Sequence, residues 1–174
     1  IRSYANNAPN ATAGEMWYNQ TELKLKGVVA SGAWSSSSPL ITARRSLGGA
    51  GIQTAALAFG GQSTTIIGNT EEYDGSGWAA GGALNTVRKA LGNAGTQTAG
   101  LAFGGSTYTA NTEEYNGTSW SEQNNLSTGR SYLSGCGIQT AGLAFGGSTP
   151  PTSSGSTTAT EEYDGSSWTG GGAL

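Results

Sequence analysis

Apolar residues in this chain come in short clusters separated by Gly, Ser and Thr. No segment sustains the i, i+3, i+4 spacing of a helix face. Glycine, at 30 positions, is also too dense for helices. The clusters recur at a fixed period. GIQTAALAFGG begins at Gly51, GTQTAGLAFGG at Gly95 and GIQTAGLAFGG at Gly137. TEEYDGSGW (from Thr70) returns as TEEYNGTSW (from Thr112) and TEEYDGSSW (from Thr160). A third element, L-x-T-x-R, precedes each unit at Leu40/Thr42/Arg44, Leu84/Thr86/Arg88 and Leu126/Thr128/Arg130. Tryptophans 34, 78, 120 and 168 mark steps of 44, 42 and 48 residues.

Spacing inside the unit is rigid except at one place. Arg to Gln is nine residues in all three copies and Tyr to Trp is five, but the second Gly of Gly-Gly to the Thr of TEEY runs 9, 7 and 13. Packed strands cannot absorb insertions, whereas a hairpin tip can. Each unit therefore reads as four short strands. The first is a Gly/Ala-rich strand over 46–51 with a turn at Gln53-Thr54, and the second is Ala55 to Phe59, closed by Gly60-Gly61. The third contains Glu71 to Tyr73, with Asp74-Gly75 as its turn signal, and the fourth starts near Trp78. Four antiparallel strands per 42–48 residues make a β-propeller blade. The expected architecture is all-β, with blades over about 41–83, 85–125 and 127–173. Phe59, Phe103, Phe145, Tyr73, Tyr115, Tyr163, Trp78, Trp120 and Trp168 are expected to be buried between blades, being the large side chains that recur in register.

Leu174 stands six residues after Trp168, as Leu40 does after Trp34, so the pattern stops at the opening of a fourth unit. Three blades make an incomplete propeller. Its edges must be covered by chain beyond Leu174, the reading favoured by a stop in mid-repeat, or by another copy of the protein. Residues 1–34 form a separate region. Within it GEMWYNQTELKLKGVV (from Gly14) reads as a β-hairpin with its turn at Asn19 to Glu22, preceded by a polar lead-in over 1–13 with little structure of its own.

Composition narrows the chemistry. Charged residues are 11% of the chain, histidine is absent, and Ser plus Thr supply 43 positions. Eight Lys+Arg against eleven Asp+Glu, with no basic run, predict no nucleic-acid partner. Without His and with one Cys, the standard zinc sites, Ser–His and Cys–His catalysis and any internal disulfide are removed. No apolar stretch reaches the length of a membrane span, so no membrane insertion is expected. No cofactor is expected.

Gly-Gly after a hydrophobic strand, then E-x-Y-[DN], then Trp, then L-x-T-x-R, resembles the kelch repeat in its usual order over 40–174. The units are shorter than the usual kelch period of ~50, and their first two strands are poor in bulky residues. A WD40 repeat fits less well, since no Gly-His or Trp-Asp pair occurs. The W-Y-N…L-K hairpin is similar to one that recurs in virion structural and tail-fibre proteins of bacteriophages. Together these resemblances imply a non-enzymatic phage tail-fibre or appendage protein, located on the virion. Its partners would be other copies of itself, other virion proteins or a host-surface glycan. A secreted or surface-attached bacterial lectin-like adhesin is the alternative. A propeller enzyme of the galactose-oxidase or sialidase type is disfavoured by the missing His and by the lack of an S-x-D-x-G-x-[ST]-W box.

Three Glu-Glu pairs (Glu71-Glu72, Glu113-Glu114, Glu161-Glu162) invite an acid/base reading, but neighbours on a strand point to opposite faces. The expectation is that one glutamate of each pair meets Arg44, Arg88 or Arg130 as a strut between blades. Cys136 replaces Ala50 and Ala94 and is expected to be a small buried residue. The LAFGG glycines lack a following Lys-Ser/Thr and read as a β turn. The variable loops differ in sequence as well as in length. Ser63, Ile66, Ile67, Tyr108, Thr109, Pro150, Thr152 and Ser153 are the candidate contact residues, their hydroxyl and aromatic groups suiting a neutral ligand such as carbohydrate.

Overall fold

The computed structural model describes residues 2–4, 16–27, 36–150 and 155–174. They divide into two compact units, Ile1–Ser36 and Ser37–Leu174. Trp34, at the expected boundary, lies outside the described residues.

The first unit is a three-stranded sheet of β1 (Arg2–Tyr4), β2 (Met16–Asn19) and β3 (Lys24–Gly27). The expected hairpin is β2–β3, paired antiparallel with Trp17 opposite Lys26. Its turn is tied by the Glu22 amide, which donates to Asn19 Oδ1 at 2.9 Å, and by a Lys26–Glu22 ion pair at 2.7 Å. Within the lead-in, Arg2–Tyr4 forms a strand, β1, that pairs parallel with β2. A lone two-stranded hairpin is marginal in water, and the free edge of β2 offers main-chain donors and acceptors to any adjacent segment.

The second unit consists of three four-stranded antiparallel sheets, each a meander in chain order. The first blade is β4 (Gly48–Ile52), β5 (Ala55–Phe59), β6 (Thr70–Tyr73) and β7 (Trp78–Gly81). The second is β8 (Gly92–Gly95), β9 (Gly100–Phe103), β10 (Thr112–Tyr115) and β11 (Trp120–Gln123), and the third is β12 (Ser134–Ile138), β13 (Ala141–Phe145), β14 (Thr160–Tyr163) and β15 (Trp168–Gly170). No sheet is closed on itself. The first strands lie side by side, β4 by β8 and β8 by β12, as in the inner ring of a propeller. There the small residues are required: a Cβ on Gly135 would come within 2.3 Å of Phe103 and 2.8 Å of the Asn93 carbonyl. The third strand ends in a tight turn in which Asp74 and Asp164 accept the amides two and three residues on, and these bonds hold both carboxyls down at about 2.

Consecutive blades meet through one repeated interface. Leu57 and Phe59 face Ala102, Tyr115 and Trp120 of the next blade, and Leu101 and Phe103 face Ala144, Tyr163 and Trp168 of the one after. The Phe–Trp centroids stand 4.8 and 4.9 Å apart. Each indole also donates backwards, Trp120 Nε1 to Thr70 Oγ1 and Trp168 Nε1 to Thr112 Oγ1, both at 2.9 Å. Gln97 and Gln139 reach back to the main-chain oxygens of Tyr73 and Tyr115 at 2.6 and 2.8 Å. Ser46, Ala90 and Tyr132 all hold positive φ (55°, 51° and 56°) at the entry to their blades. That conformation is costly for side-chain-bearing residues. It is compensated by a chain of bonds, Ala90 N to Ser46 O at 2.9 Å and Tyr132 N to Ala90 O at 2.8 Å.

Position in the array decides how far the recurring aromatics are buried. Phe59, Phe103, Tyr115, Tyr163 and Trp120 are buried as expected. Tyr73 and Trp78 of the first blade and Phe145 of the third are only half-buried, because the outer faces of the array have no neighbouring blade; Trp168 is half-buried too, although it packs on Phe103 of the second blade. Cys136 corrects the expectation in the same way. Ala50 and Ala94 pack against the next blade, whereas the Cys136 thiol is exposed on the last face. Truncating Trp120 to Ala should therefore cost about 3–5 kcal/mol in urea unfolding. Trp78→Ala should cost clearly less; equal losses would contradict this asymmetry.

Candidate functional site

In an antiparallel meander the second-to-third-strand loops and the linkers between blades leave from the same edge of the sheets. The variable loops and the L-x-T-x-R segments accordingly share one face of the array. The linker is the best-anchored feature of that face. Arg88 Nη2 meets Glu113 Oε1 at 2.9 Å, and Arg130 Nη2 meets Glu161 Oε1 at 2.8 Å, with all four side chains buried. Arg44 and Glu71 repeat the pair at 3.3 Å. The other guanidinium nitrogen donates to main-chain oxygens of the same blade, Asn69, Asn111 or Ala159. Nε is left without a partner in all three. Burial lowers the Arg44 and Arg88 pKa, and the facing carboxylates oppose that shift. Each carboxylate also accepts linker amides: Glu71 from Ile41 at 2.7 Å, Glu113 from Asn85 at 2.7 Å and Glu161 from Ser127 at 2.7 Å.

The expected Arg–Glu pairs form, but they correct the expectation of a strut between blades, since both partners belong to one repeat. The ion pair joins the linker to the blade it leads into, while the linker's main chain is held by the blade before it. Gly61 N donates to Arg88 O at 2.9 Å and Gly105 N to Arg130 O at 2.8 Å. Gly61 and Gly105 have φ of 100° and 124°, which is why this approach needs glycine. The second glutamate of each pair makes the direct blade-to-blade bond: Tyr115 Oη donates to Glu72 Oε1, and Tyr163 Oη to Glu114 Oε1 at 3.0 Å. Both glutamates of the first two pairs thus make bonds within the scaffold.

Of the candidate contact residues, Ser63, Ile66, Ile67, Tyr108 and Thr109 are half-buried rather than fully exposed, and Pro150 is exposed. Thr152 and Ser153 lie outside the described residues. The first two loops are partly drawn into the scaffold. Ile67 N donates to Gly61 O at 3.0 Å, Lys89 Nζ to Gln62 Oε1 at 2.6 Å, and Thr109 O accepts the Arg130 amide at 3.3 Å. Tyr108 closes a single 3₁₀ turn (Ser106–Tyr108) with φ of 54°. The structure does not gather the candidates of different loops into one pocket. Instead a cavity of about 320 Å³ opens on the third blade beside its variable loop, with Ser127, Thr128, Thr149, Thr157 and Thr160 among its lining residues. The Arg130–Glu161 pair also lines it, and its two charges compensate each other. None of Ser127, Thr128, Thr149, Thr157 and Thr160 was among the candidate contact residues. The two threonines that recur in every unit, Thr128 and Thr160, look like scaffold when each repeat is read alone.

Among the described residues no group of three or more His, Cys, Asp or Glu could hold a metal ion, and no helix is long and apolar enough to cross a membrane. No protein-family model matches the chain, and no curated protein matches its sequence. The fold and this face define an all-β repeat protein with β-propeller-like blades.

Two outcomes test these assignments. Arg88→Ala should cost about 3–5 kcal/mol in urea unfolding, because it strands a buried carboxylate. Glu122→Ala, on an exposed strand position, should cost less than about 0.5 kcal/mol.

The second outcome concerns alkaline pH. Burial, reinforced by the bond to Glu72, pushes the Tyr115 hydroxyl up to about 12, and burial with Glu114 raises Tyr163 likewise. A tyrosine raised in the folded state favours folding fully below its ordinary value of 10.0, and that contribution is lost as pH climbs towards 12. Tyrosinate absorbance should therefore show Tyr115 and Tyr163 ionising late and together with unfolding. Tyr115→Phe should flatten the alkaline loss of stability, and normal titration of all seven tyrosines would refute the assignment.

Proposed function

We propose that this chain is a non-enzymatic structural and adhesion component of a bacteriophage virion, a tail-fibre or appendage protein whose kelch-like blades present hydroxyl-rich loops to a host-surface glycan. The observation that carries the reading is the hydroxyl-lined cavity beside the longest variable loop. Ser127, Thr128 and Thr149 offer hydroxyls there beside apolar lining, and the buried Arg130–Glu161 pair adds little net charge, which is chemistry that suits a neutral sugar. The rest of the face supports the same role. Its carboxylates and guanidinium groups hold linkers to blades, so loop length can vary without disturbing the scaffold. The resemblance of the β2–β3 hairpin to those of phage virion proteins is what suggests a place on the virion.

A glycan array probed with the purified chain tests the binding half. The expected result is retention on a restricted set of neutral glycans, weakened about fivefold or more by Thr128→Val with Thr149→Val, the effect of losing hydrogen bonds to the sugar. Binding to no glycan, or binding indifferent to both substitutions, would remove the adhesion role. Mass spectrometry of purified phage particles tests the location, and absence of the chain from them would favour a secreted or surface-attached bacterial adhesin.

A further inference from the structure

The two outer faces of the array carry the two halves of the interface that the chain builds twice within itself. On the outer face of the third blade, Leu143 and Phe145 are half-buried where Leu57, Phe59, Leu101 and Phe103 are covered or nearly so by a following blade. Glu162, equivalent to Glu72 and Glu114, is exposed and meets no tyrosine. The Gly147 amide lacks the arginine carbonyl that Gly61 and Gly105 receive, and the Tyr132 carbonyl lacks the amide bound by Ser46 and Ala90.

The first blade shows the complementary vacancies. A cavity of about 370 Å³ bounded by Gly48, Ala56, Ala58 and Trp78 occupies the place that, on the later blades, takes the leucine and phenylalanine of the preceding one. Gln53 is exposed, although its equivalents Gln97 and Gln139 bond backwards across an interface. Among the described residues the Ser46 amide has no main-chain acceptor. Nearby chain supplies substitutes at both faces. Ser38 O accepts Trp78 Nε1 at 3.2 Å, Ser37 Oγ bonds Tyr73 Oη, and Thr160 Oγ1 donates to Gly172 O.

We propose that two copies of this chain join head to tail, the third blade of each on the first blade of the other, and close a six-bladed ring. One kind of contact, made twice about a two-fold axis, then fills both faces. Propellers close with about 4–8 blades, and two arrays of three make six. Two features of the first blade bear on the strength of the joint. Ser37–Leu40 and Gly171–Leu174 hold the same place in the repeat, so at each junction one must yield to the other. Ala56 stands where the later blades have Gly100 and Gly142, whose Cβ atoms would lie 2.7 and 2.8 Å from the incoming Leu Cδ2. Leu143 must therefore turn its tip aside to seat. The junction shares Gly171 and Ala173 with the cavity on the third blade, so association is read by mass and by Phe145→Ala and Glu162→Lys, neither of which lines that cavity, and its failure is distinguishable from that of the glycan reading.

Sedimentation equilibrium of the 174-residue chain over a concentration series tests it. The expected mass rises from 17.5 kDa to twice that value and stops there. Phe145→Ala and Glu162→Lys should each weaken association, the former by about tenfold or more, as for a buried aromatic anchor. Both are at least partly exposed in the single chain, and circular dichroism verifies that the blades persist. Ala56→Gly and removal of Gly171–Leu174 should strengthen association. Alkylation of Cys136, the single cysteine, should slow as the dimer forms. A constant mass of one chain, a polymer that grows without limit, or a dimer indifferent to Phe145→Ala and Glu162→Lys would each overturn the proposal.

Discussion

The second unit depends on a buried arginine whose two ends belong to different blades. The Arg88 guanidinium is taken up by Glu113 and the main chain of the second blade, while its carbonyl is bound by Gly61 of the first. Arg130 does the same one blade later. A charge buried this deeply is tolerable only when every nearby acceptor is placed for it, so the linker has a single low-energy path. That path fixes the following blade relative to the one before, and the phenylalanine–tryptophan packing, the backward indole bonds and the tyrosine–glutamate bonds all follow from it.

This division of labour explains why the blades can be so poor in bulky side chains. Strands of Gly, Ala, Ser and Thr bury little apolar area individually. Close approach substitutes for bulk: glycines at the inner strands admit neighbouring rings and carbonyls that a Cβ would exclude. The cost is that a blade without a neighbour is incomplete, as the half-buried Phe145 and Trp78 and the exposed thiol of Cys136 show. Stability in such an array belongs to the interfaces more than to the repeats.

Much of this architecture is legible in one dimension. Constant Arg-to-Gln and Tyr-to-Trp intervals locate the strands and turns, because insertions survive only at loop tips. The three sheets appear where that spacing puts them. The alternation of a strand correctly separates the two glutamates of each pair onto different partners. The strand at Arg2–Tyr4 was not legible, since its pairing with β2 depends on a free edge and not on its own sequence. The hydroxyl cavity escaped for a related reason: a threonine repeated in every unit carries no signal that the last copy lines an opening.

What the sequence by itself determined is periodic: the number of blades, their strand order and the identity of the residues that recur in each. Local propensity and spacing suffice for that, since every blade is a simple meander. What only the tertiary structure decided is how equivalent residues differ. Ala94 is buried and Cys136 exposed, Trp120 enclosed and Trp78 half-open, Gly105 bonded to an arginine carbonyl and Gly147 not. A repeat motif is identical at every position in the chain, but burial depends on whether a neighbouring blade stands on each side, and that is a property of the assembled array.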